Sequence, residues 1–223
     1  SQVFLHSPEL VKQLVGSSSI DQKDTVIEIG PGKGVITLSL LQKAKFVIAI
    51  ERDPVLYSQL KQQFFSRQNL DLVCADFLTC KLPNGPYKVF ANIPISIEGK
   101  IIRKLIDASN PPEDCYLIIR EELARRLTGI PKNGLFAVVH KPWFDFEIFH
   151  QFKRGDFIPK PQVETAILRF FKRTNPLLSE SEKPKFQKFV TNIFGGGRRM
   201  RQNLRQEFNP SQINNLSQKF KLD

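Results

Sequence analysis

Asn92, Ile93, Pro94 and Ile95 follow directly on "YKVFAN", an apolar stretch that reads as a β-strand. An Asn side-chain oxygen and a backbone carbonyl braced by the next proline make two hydrogen-bond acceptors at a fixed mutual angle. That pair suits an exocyclic amine on a nucleobase. Such an amine is a poor nucleophile, because its lone pair is delocalised into the ring. Accepting hydrogen bonds from both N–H groups favours a tetrahedral nitrogen, and positioning then carries the catalysis with no general base strictly required. On this reading Asn92 and the Ile93 carbonyl are the acceptors, Pro94 is the brace, and Ile95 offers apolar contact to the base.

A second constellation lies upstream. In "VIEIGPGKG" an apolar strand ends at Ile29, and Gly30, Gly32 and Gly34 follow before a helical run. Glycines there permit a tight turn and close approach of a ligand to the backbone. The dinucleotide pattern is G-x-G-x-x-G; this chain has G-x-G-x-G, preceded by Glu28. A carboxylate beside the loop disfavours a pyrophosphate and suits a phosphate-free ligand with a positive centre, such as S-adenosylmethionine. Glu51, ending the next strand, is placed to grip two ribose hydroxyls, with Arg52 beside it. In "CADFL", Asp76 can accept from an adenine amine while Phe77 offers a backbone N–H and a ring face. The competing readings are a purely structural glycine turn and, for Asp76, the capping of a turn.

Alternation of strand and helix positions these residues. "HSPELVKQLV" has the marks of a helix start, with Ser7 as N-cap, Pro8 next and Glu9 in the first turn. "TVIEIG", "FVIAIE", "LDLVCAD", "YKVFAN" and "CYLIIR" read as strands, with helices from Val35 to about Lys43, in "PVLYSQLKQQFF", in "EGKIIRKLIDA" and in "EELARRL". This pattern predicts an α/β, Rossmann-like, doubly wound and mostly parallel sheet. "LFAVVHKPWFDFEIFHQF" and "VETAILRFFKR" then read as strands without a long helix between them, adding an antiparallel edge. Trp143 and Phe144 are assigned to the core. "KRTNPLLSESEKPKF" reads as a linker. The expected division is a catalytic domain over 1–173 and a small, all-helical, basic domain over 174–223.

Lys and Arg number 33 against 22 Asp and Glu, a net charge of +11. From Asn175 onward nine basic residues face four acidic ones. Such an excess favours a polyanionic partner, most often nucleic acid. Candidate phosphate contacts include Lys100, Arg103, Lys104, Arg125, Lys160, Arg198, Arg199 and Arg201, with "GGGRRMR" as a turn running into a basic helix. Each residue alone also reads as a solvated surface charge. No apolar run reaches the ~18 residues of a membrane span, and "SQVFLHSPEL" has no basic stretch followed by an apolar one, so neither a membrane anchor nor a secretory leader is expected. Cys74, Cys80 and Cys115 have no metal or disulfide spacing, which fits a reducing cytoplasm.

With "SQVFL", "EIGPGKG", "IERD", "ADFL", "NIPIS", "IIRKL", "KPWFDF" and "DFIPKPQVETAILRF" in order along nearly the whole chain, the sequence resembles the erythromycin-resistance (Erm) type of rRNA adenine N6-methyltransferase. That type shares a superfamily with the small-subunit rRNA dimethyladenosine transferases. "NIP", where the small-subunit enzymes usually carry "NLPY", and "KPWF" resemble the Erm branch. The resemblance implies transfer of one or two methyl groups from S-adenosylmethionine to N6 of one adenine in 23S rRNA, naked or in a precursor, by a monomer. Resistance to macrolides, lincosamides and streptogramin B would follow. It implies cofactor contacts at Gln2, Val3, Phe4, Gly30, Gly32, Glu51, Asp76 and Asn92, and a role for Phe157 in holding a flipped adenine. Two positions depart from the family: Ile95 stands where Tyr or Phe is usual, and Val3 where Asn or His is usual. The alternatives are a small-subunit rRNA dimethyltransferase and a nucleic-acid-binding relative with weakened catalysis.

Overall fold

The computed structural model describes residues 4–132, 134–194, 200–205 and 207–220. In chain order the elements begin β1 (Phe4–Leu5), α1 (Pro8–Ser17), β2 (Thr25–Ile29), α2 (Val35–Lys43), β3 (Phe46–Glu51), α3 (Pro54–Gln63) and β4 (Leu70–Cys74). They continue β5 (Lys88–Asn92), α4 (Glu98–Ile106), β6 (Asp114–Arg120), α5 (Glu121–Thr128), α6 (Leu135–His140), β7 (Phe144–Gln151), β8 (Phe157–Ile158) and β9 (Thr165–Lys172). Among the described residues three further helices follow: α7 (Lys183–Phe194), α8 (Met200–Leu204) and α9 (Pro210–Phe220).

Local chemistry sets many of these boundaries. Ser7 accepts the Leu10 N–H at 3.2 Å as N-cap of α1, with Pro8 in the first turn. The other end of α1 is closed by a distant residue. Lys43 Nζ donates to the carbonyls of Val15, Gly16 and Ser18 at 2.7, 2.7 and 2.9 Å, satisfying oxygens that a helix C-terminus leaves over. Asp53 caps α3 through the N–H groups of Val55 and Leu56.

Seven strands form one sheet in the order β4-β3-β2-β5-β6-β9-β7. From β4 to β6 all pairs are parallel, while β9 runs antiparallel to β6. This is the α/β sheet with an antiparallel edge that the strand–helix alternation predicts. Residues Val26 to Ile29 of β2 are all buried, as expected where helices cover both faces. The chain leaves β2 toward β3 and β4, then crosses back to β5 on the other side. The carboxyl ends of β2 and β5 therefore flank the point where the order reverses, the usual ligand crevice of such sheets.

The chain divides into two compact units, Ser1–Arg125 with Asp145–Lys172, and Arg126–Phe144 with Arg173–Asp223. The second unit takes in residues 126–144, which the sequence reading assigns to the catalytic domain. The reason is α6. The run "LFAVVH" reads as a strand but is a helix, starting after Gly134 and burying Ala137 and His140 on one side. Short apolar runs do not separate the two periods; packing decides, and here α6 lies against α7. Trp143 stands edge-on to Phe186 at 5.8 Å, and Arg173 Nε donates to the Lys141 carbonyl at 2.7 Å. Trp143 and Phe144 are buried, as assigned. The linker is also shorter than the composition suggests, since α7 already begins at Lys183. A small core of Ile193, Leu204 and Ile213, with Phe189 and Phe208 against it, organises the last three helices.

Candidate active site

The turn after β2 is built from glycines in left-handed backbone. Gly30, Gly32 and Gly34 have φ of 68, 60 and 78°, a region that other residues enter at a cost. They are not equivalent. A Cβ on Gly32 would lie 2.6 Å from the Phe4 ring and one on Gly34 would lie 2.7 Å from the Phe64 ring, whereas one on Gly30 would meet no atom within 4 Å. Gly30 is thus the glycine that opens onto the crevice, and the other two let side chains pack against the turn.

Glu51 ends β3, is 3 % exposed, and joins this turn to the next. Its Oε2 accepts the Gly32 N–H at 3.1 Å and its Oε1 accepts the Asp53 N–H at 2.9 Å. A carboxylate has about four lone-pair sites, so both oxygens can still accept from a ligand hydroxyl. Asp76 behaves as a turn cap, accepting the Leu78 N–H at 2.9 Å. Its second oxygen lies 3.6 Å from Arg52 Nη1, whose side chain is 79 % exposed. That loose contact leaves both groups available at the rim. Phe77 is buried, with Lys104 Nζ 5.1 Å over its ring. Lys104 also donates to the carbonyls of Leu78 and Cys80, so two of its three N–H donors hold the Asp76–Phe77 loop.

Asn92 ends β5 and is half-buried, while the Ile93 side chain is in the core. The role open to Ile93 is therefore that of its backbone. Pro94 starts a tight turn, with the Ile97 N–H donating to its carbonyl at 3.1 Å, and α4 begins at Glu98. Glu98 is 2 % exposed, and its Oε1 takes the Nε of Arg120 at 2.6 Å.

These pieces line one open crevice of about 860 Å³. Ile29 and Gly30, Ile50 to Pro54, Ala75 to Phe77, Pro94 to Ile97, and Ile101 form its walls. That volume lies within the ~300–1,000 Å³ range of small-molecule sites. A glycine open to the space, a buried acid at the end of β3, and a capped Asp–Phe loop together fit the amino-acid and nucleoside parts of S-adenosylmethionine.

Four expected site residues behave differently. Glu28 is 1 % exposed, is not among the residues that line the crevice, and has its buried carboxyl beside Thr37. Burial pushes its carboxyl up to about 8, with the Glu51 charge adding to the rise and the nearby Thr37 opposing it. At neutral pH it is mostly protonated, so it brings no negative charge to the glycine turn. Phe157 is 1 % exposed and packs edge-on against Phe152 at 5.0 Å; the structure places it in the core and not on the crevice wall. Arg125 Nε donates to Glu121 at 2.7 Å along α5, with its side chain 45 % exposed. Phe4 is not among the residues that line the crevice; it packs on the turn, with its ring against Gly32 and Lys33 Nζ 5.5 Å above it.

Lys100, Arg103 and Lys160 are exposed. Gln2, Val3, Arg198 and Arg199 lie outside the described residues, and Arg201 is placed only as part of α8. Among the described residues no cluster of His, Cys, Asp and Glu could hold a metal ion, and no helix is long and apolar enough to cross a membrane.

The sequence reading misses two features. One is the pairing of β1 with β8, Phe4 opposite Ile158 and Leu5 opposite Phe157, supported by the His6 N–H donating to the Asp156 carbonyl at 3.3 Å. Strands of two residues leave no periodic signal. The other is Glu98 with Arg120: a glutamate at a helix start reads as an ordinary first-turn acid.

The family described as Ribosomal RNA adenine dimethylase matches residues 1–222. An rRNA adenine N-6-methyltransferase of Lysinibacillus sphaericus is 33 % identical over 191 residues, covering 85 % of this chain and 77 % of that protein. A Ribosomal RNA small subunit methyltransferase A of Chlorobaculum parvum is 30 % identical over 220 residues, covering 95 % and 78 %. Among solved structures, that of the 23S rRNA methyltransferase ErmE superposes with a TM-score of 0.90 at 26 % identity, over 99 % of this chain and 91 % of that one.

Proposed function

Because the chain belongs to the ribosomal RNA adenine dimethylase family, whose enzymes transfer methyl groups from S-adenosylmethionine to rRNA adenines, we propose that it methylates N6 of an adenine in 23S rRNA and thereby confers resistance to macrolides, lincosamides and streptogramin B. The observation that carries the chemistry is the placement of Asn92-Ile93-Pro94 at the carboxyl end of β5, with Pro94 to Ile97 lining the same crevice as Gly30, Glu51 and Asp76. When bound, S-adenosylmethionine supplies an electrophilic methyl on a sulfonium centre. The chain's own residues hold and orient the acceptor. The Asn92 side-chain oxygen and the Ile93 carbonyl accept from the two amine hydrogens, Pro94 fixes their angle, and Ile95 gives the base an apolar wall. Gly30 lets the donor approach the backbone, Glu51 accepts from ribose hydroxyls, and Asp76 with Phe77 holds the adenine end. Arg52, at the rim, belongs to this cofactor side.

A nucleotide within folded RNA must leave its stack to reach such a crevice. Lys100, Arg103 and Lys160, with Arg198, Arg199 and Arg201 of the basic tail, supply the phosphate contacts of that complex. The "NIP" and "KPWF" motifs and the likeness to ErmE support the large-subunit substrate. The 30 % identity to a small-subunit methyltransferase supports a second reading, methylation of small-subunit rRNA.

Purified protein offered protein-free 23S and small-subunit rRNA separately, with methyl-labelled cofactor, distinguishes the two. Label in 23S rRNA, a primer-extension stop at one adenine, and raised macrolide tolerance of the expressing cells are expected. Asn92→Ala should abolish transfer. Label in small-subunit rRNA alone replaces the first reading by the second.

A further inference from the structure

The sheet fixes one end of the loop proposed to orient the target amine. Asn92 sits in the β5–β6 ladder opposite Ile118. The other end is the start of α4, and there the usual device is missing, since Ile97 at the N-cap position offers no side-chain hydrogen bond. Glu98 takes over. Its Oε1 accepts from the Arg120 side-chain Nε at 2.6 Å and its Oε2 from the Arg120 backbone N–H at 3.3 Å. Arg120 ends β6, two residues beyond the register partner of Asn92, at the same carboxyl edge of the sheet. The four residues between Asn92's neighbour and Glu98 that line the crevice, Pro94 to Ile97, are thus strung between two points of one sheet edge.

The cost of this arrangement argues for a purpose. Glu98 is 2 % exposed on its side chain and Arg120 41 %. Taking a carboxylate out of water for a partner that is itself half-solvated is poor value as stabilisation, and the best-attested use of such pairs is to fix register. We propose that Glu98 and Arg120 are positioning residues that set the geometry of the Asn92–Pro94 loop, Glu98 by clamping the start of α4 onto the end of β6. This rests on the loop being the amine-binding element. Neither side chain is assigned contact with the reacting atoms; each acts through the backbone that carries Asn92 and the Ile93 carbonyl.

The test uses the full chain and the variants Glu98→Gln, Arg120→Gln and the double variant, each assayed at a temperature where circular dichroism shows it folded. Gln in place of Glu98 keeps the volume but can accept only one of the two Arg120 hydrogens. A displacement of about 1 Å at a reacting group costs on the order of 100-fold. Each single variant should therefore lose ~10- to 100-fold in kcat, with KM for RNA and the calorimetric Kd for S-adenosylmethionine changed by less than ~3-fold. The double variant should be no worse than the poorer single one. Additive losses, or a loss carried by the cofactor Kd, would overturn the proposal.

Wild-type turnover in the same assay tests the methyltransferase reading itself. If wild type transfers no methyl, the pair is judged by hydrogen exchange at the Ile97 amide, whose bond to the Pro94 carbonyl closes the loop. Exchange accelerated by at least ~10-fold in Glu98→Gln supports the clamp, and unchanged exchange refutes it.

Discussion

Oε2 of Glu51 accepts the backbone N–H of Gly32 at 3.1 Å, and with the Gly30 N–H donating to the Ile50 carbonyl at 2.9 Å it ties the end of β3 to the glycine turn after β2. With Oε1 on the Asp53 N–H, one buried carboxylate organises two ligand-facing turns at once. Glu51→Gln keeps the volume but turns an amide toward one of those N–H groups, leaving it unpaired. A stability loss of ~1–3 kcal/mol is expected from denaturant unfolding. The affinity for S-adenosylmethionine should fall by ~10-fold or more, because a hydrogen bond to a charged acceptor is worth ~1.5–3 kcal/mol.

The glycines should separate stability from binding. Alanine at either Gly30 or Gly32 meets a left-handed backbone, at ~1–2 kcal/mol. Gly32→Ala adds a Cβ 2.6 Å from the Phe4 ring, so it should lower Tm further and loosen β1 from β8. Gly30→Ala adds a methyl where no protein atom is near, so its larger effect should be on cofactor affinity. Thermal melts and calorimetric titration of both variants check this; equal Tm losses with equal affinity losses would contradict it.

Glu28 makes stability depend on pH. Its carboxyl is raised from an ordinary 4.5 to about 8 by burial, so between those values the folded chain holds a proton that the unfolded chain has released. Stability from this group is therefore complete at acid pH, declines as pH rises through that window, and levels off above about 8. The limiting slope for one group is ~1.4 kcal/mol per pH unit. Glu28→Gln, which mimics the neutral acid, should flatten the decline in urea midpoints between pH ~5 and ~8. An unchanged slope would show that another group carries it.

Ile95 lines the crevice wall with no aromatic face to offer a base. Base–aromatic stacking contributes ~1–3 kcal/mol, so Ile95→Tyr should lower KM for RNA by ~5-fold or more with the cofactor Kd unaltered. A higher KM would mean that the apolar wall is shaped for the base as it stands.

The legible parts of this molecule were those whose causes are local. Ser7, Pro8 and Glu9 predict α1 because a cap and a fixed φ act within one turn. The apolar strands before Gly30 and after Tyr87 are recognisable because both sides of each strand are buried, and the alternation with helices then dictates a parallel sheet. "LFAVVH" was misleading for the complementary reason: six apolar residues carry no period of their own, and packing against α7 makes them a helix.

The sequence by itself determined which residues could do chemistry, their order along the chain, and the sheet that brings the ends of β2, β3, β4 and β5 to one crevice. The tertiary structure alone decided what state those residues are in. It neutralised Glu28 by burying it, put Phe157 into the core, gave Lys104 and Arg125 partners within the fold, and stapled Phe4 over Gly32 through a strand pair about 150 residues apart in the chain. It also joined Glu98 to Arg120 across 22 residues. Burial and long-range pairing are properties of how elements pack, and no spacing in the chain encodes them locally.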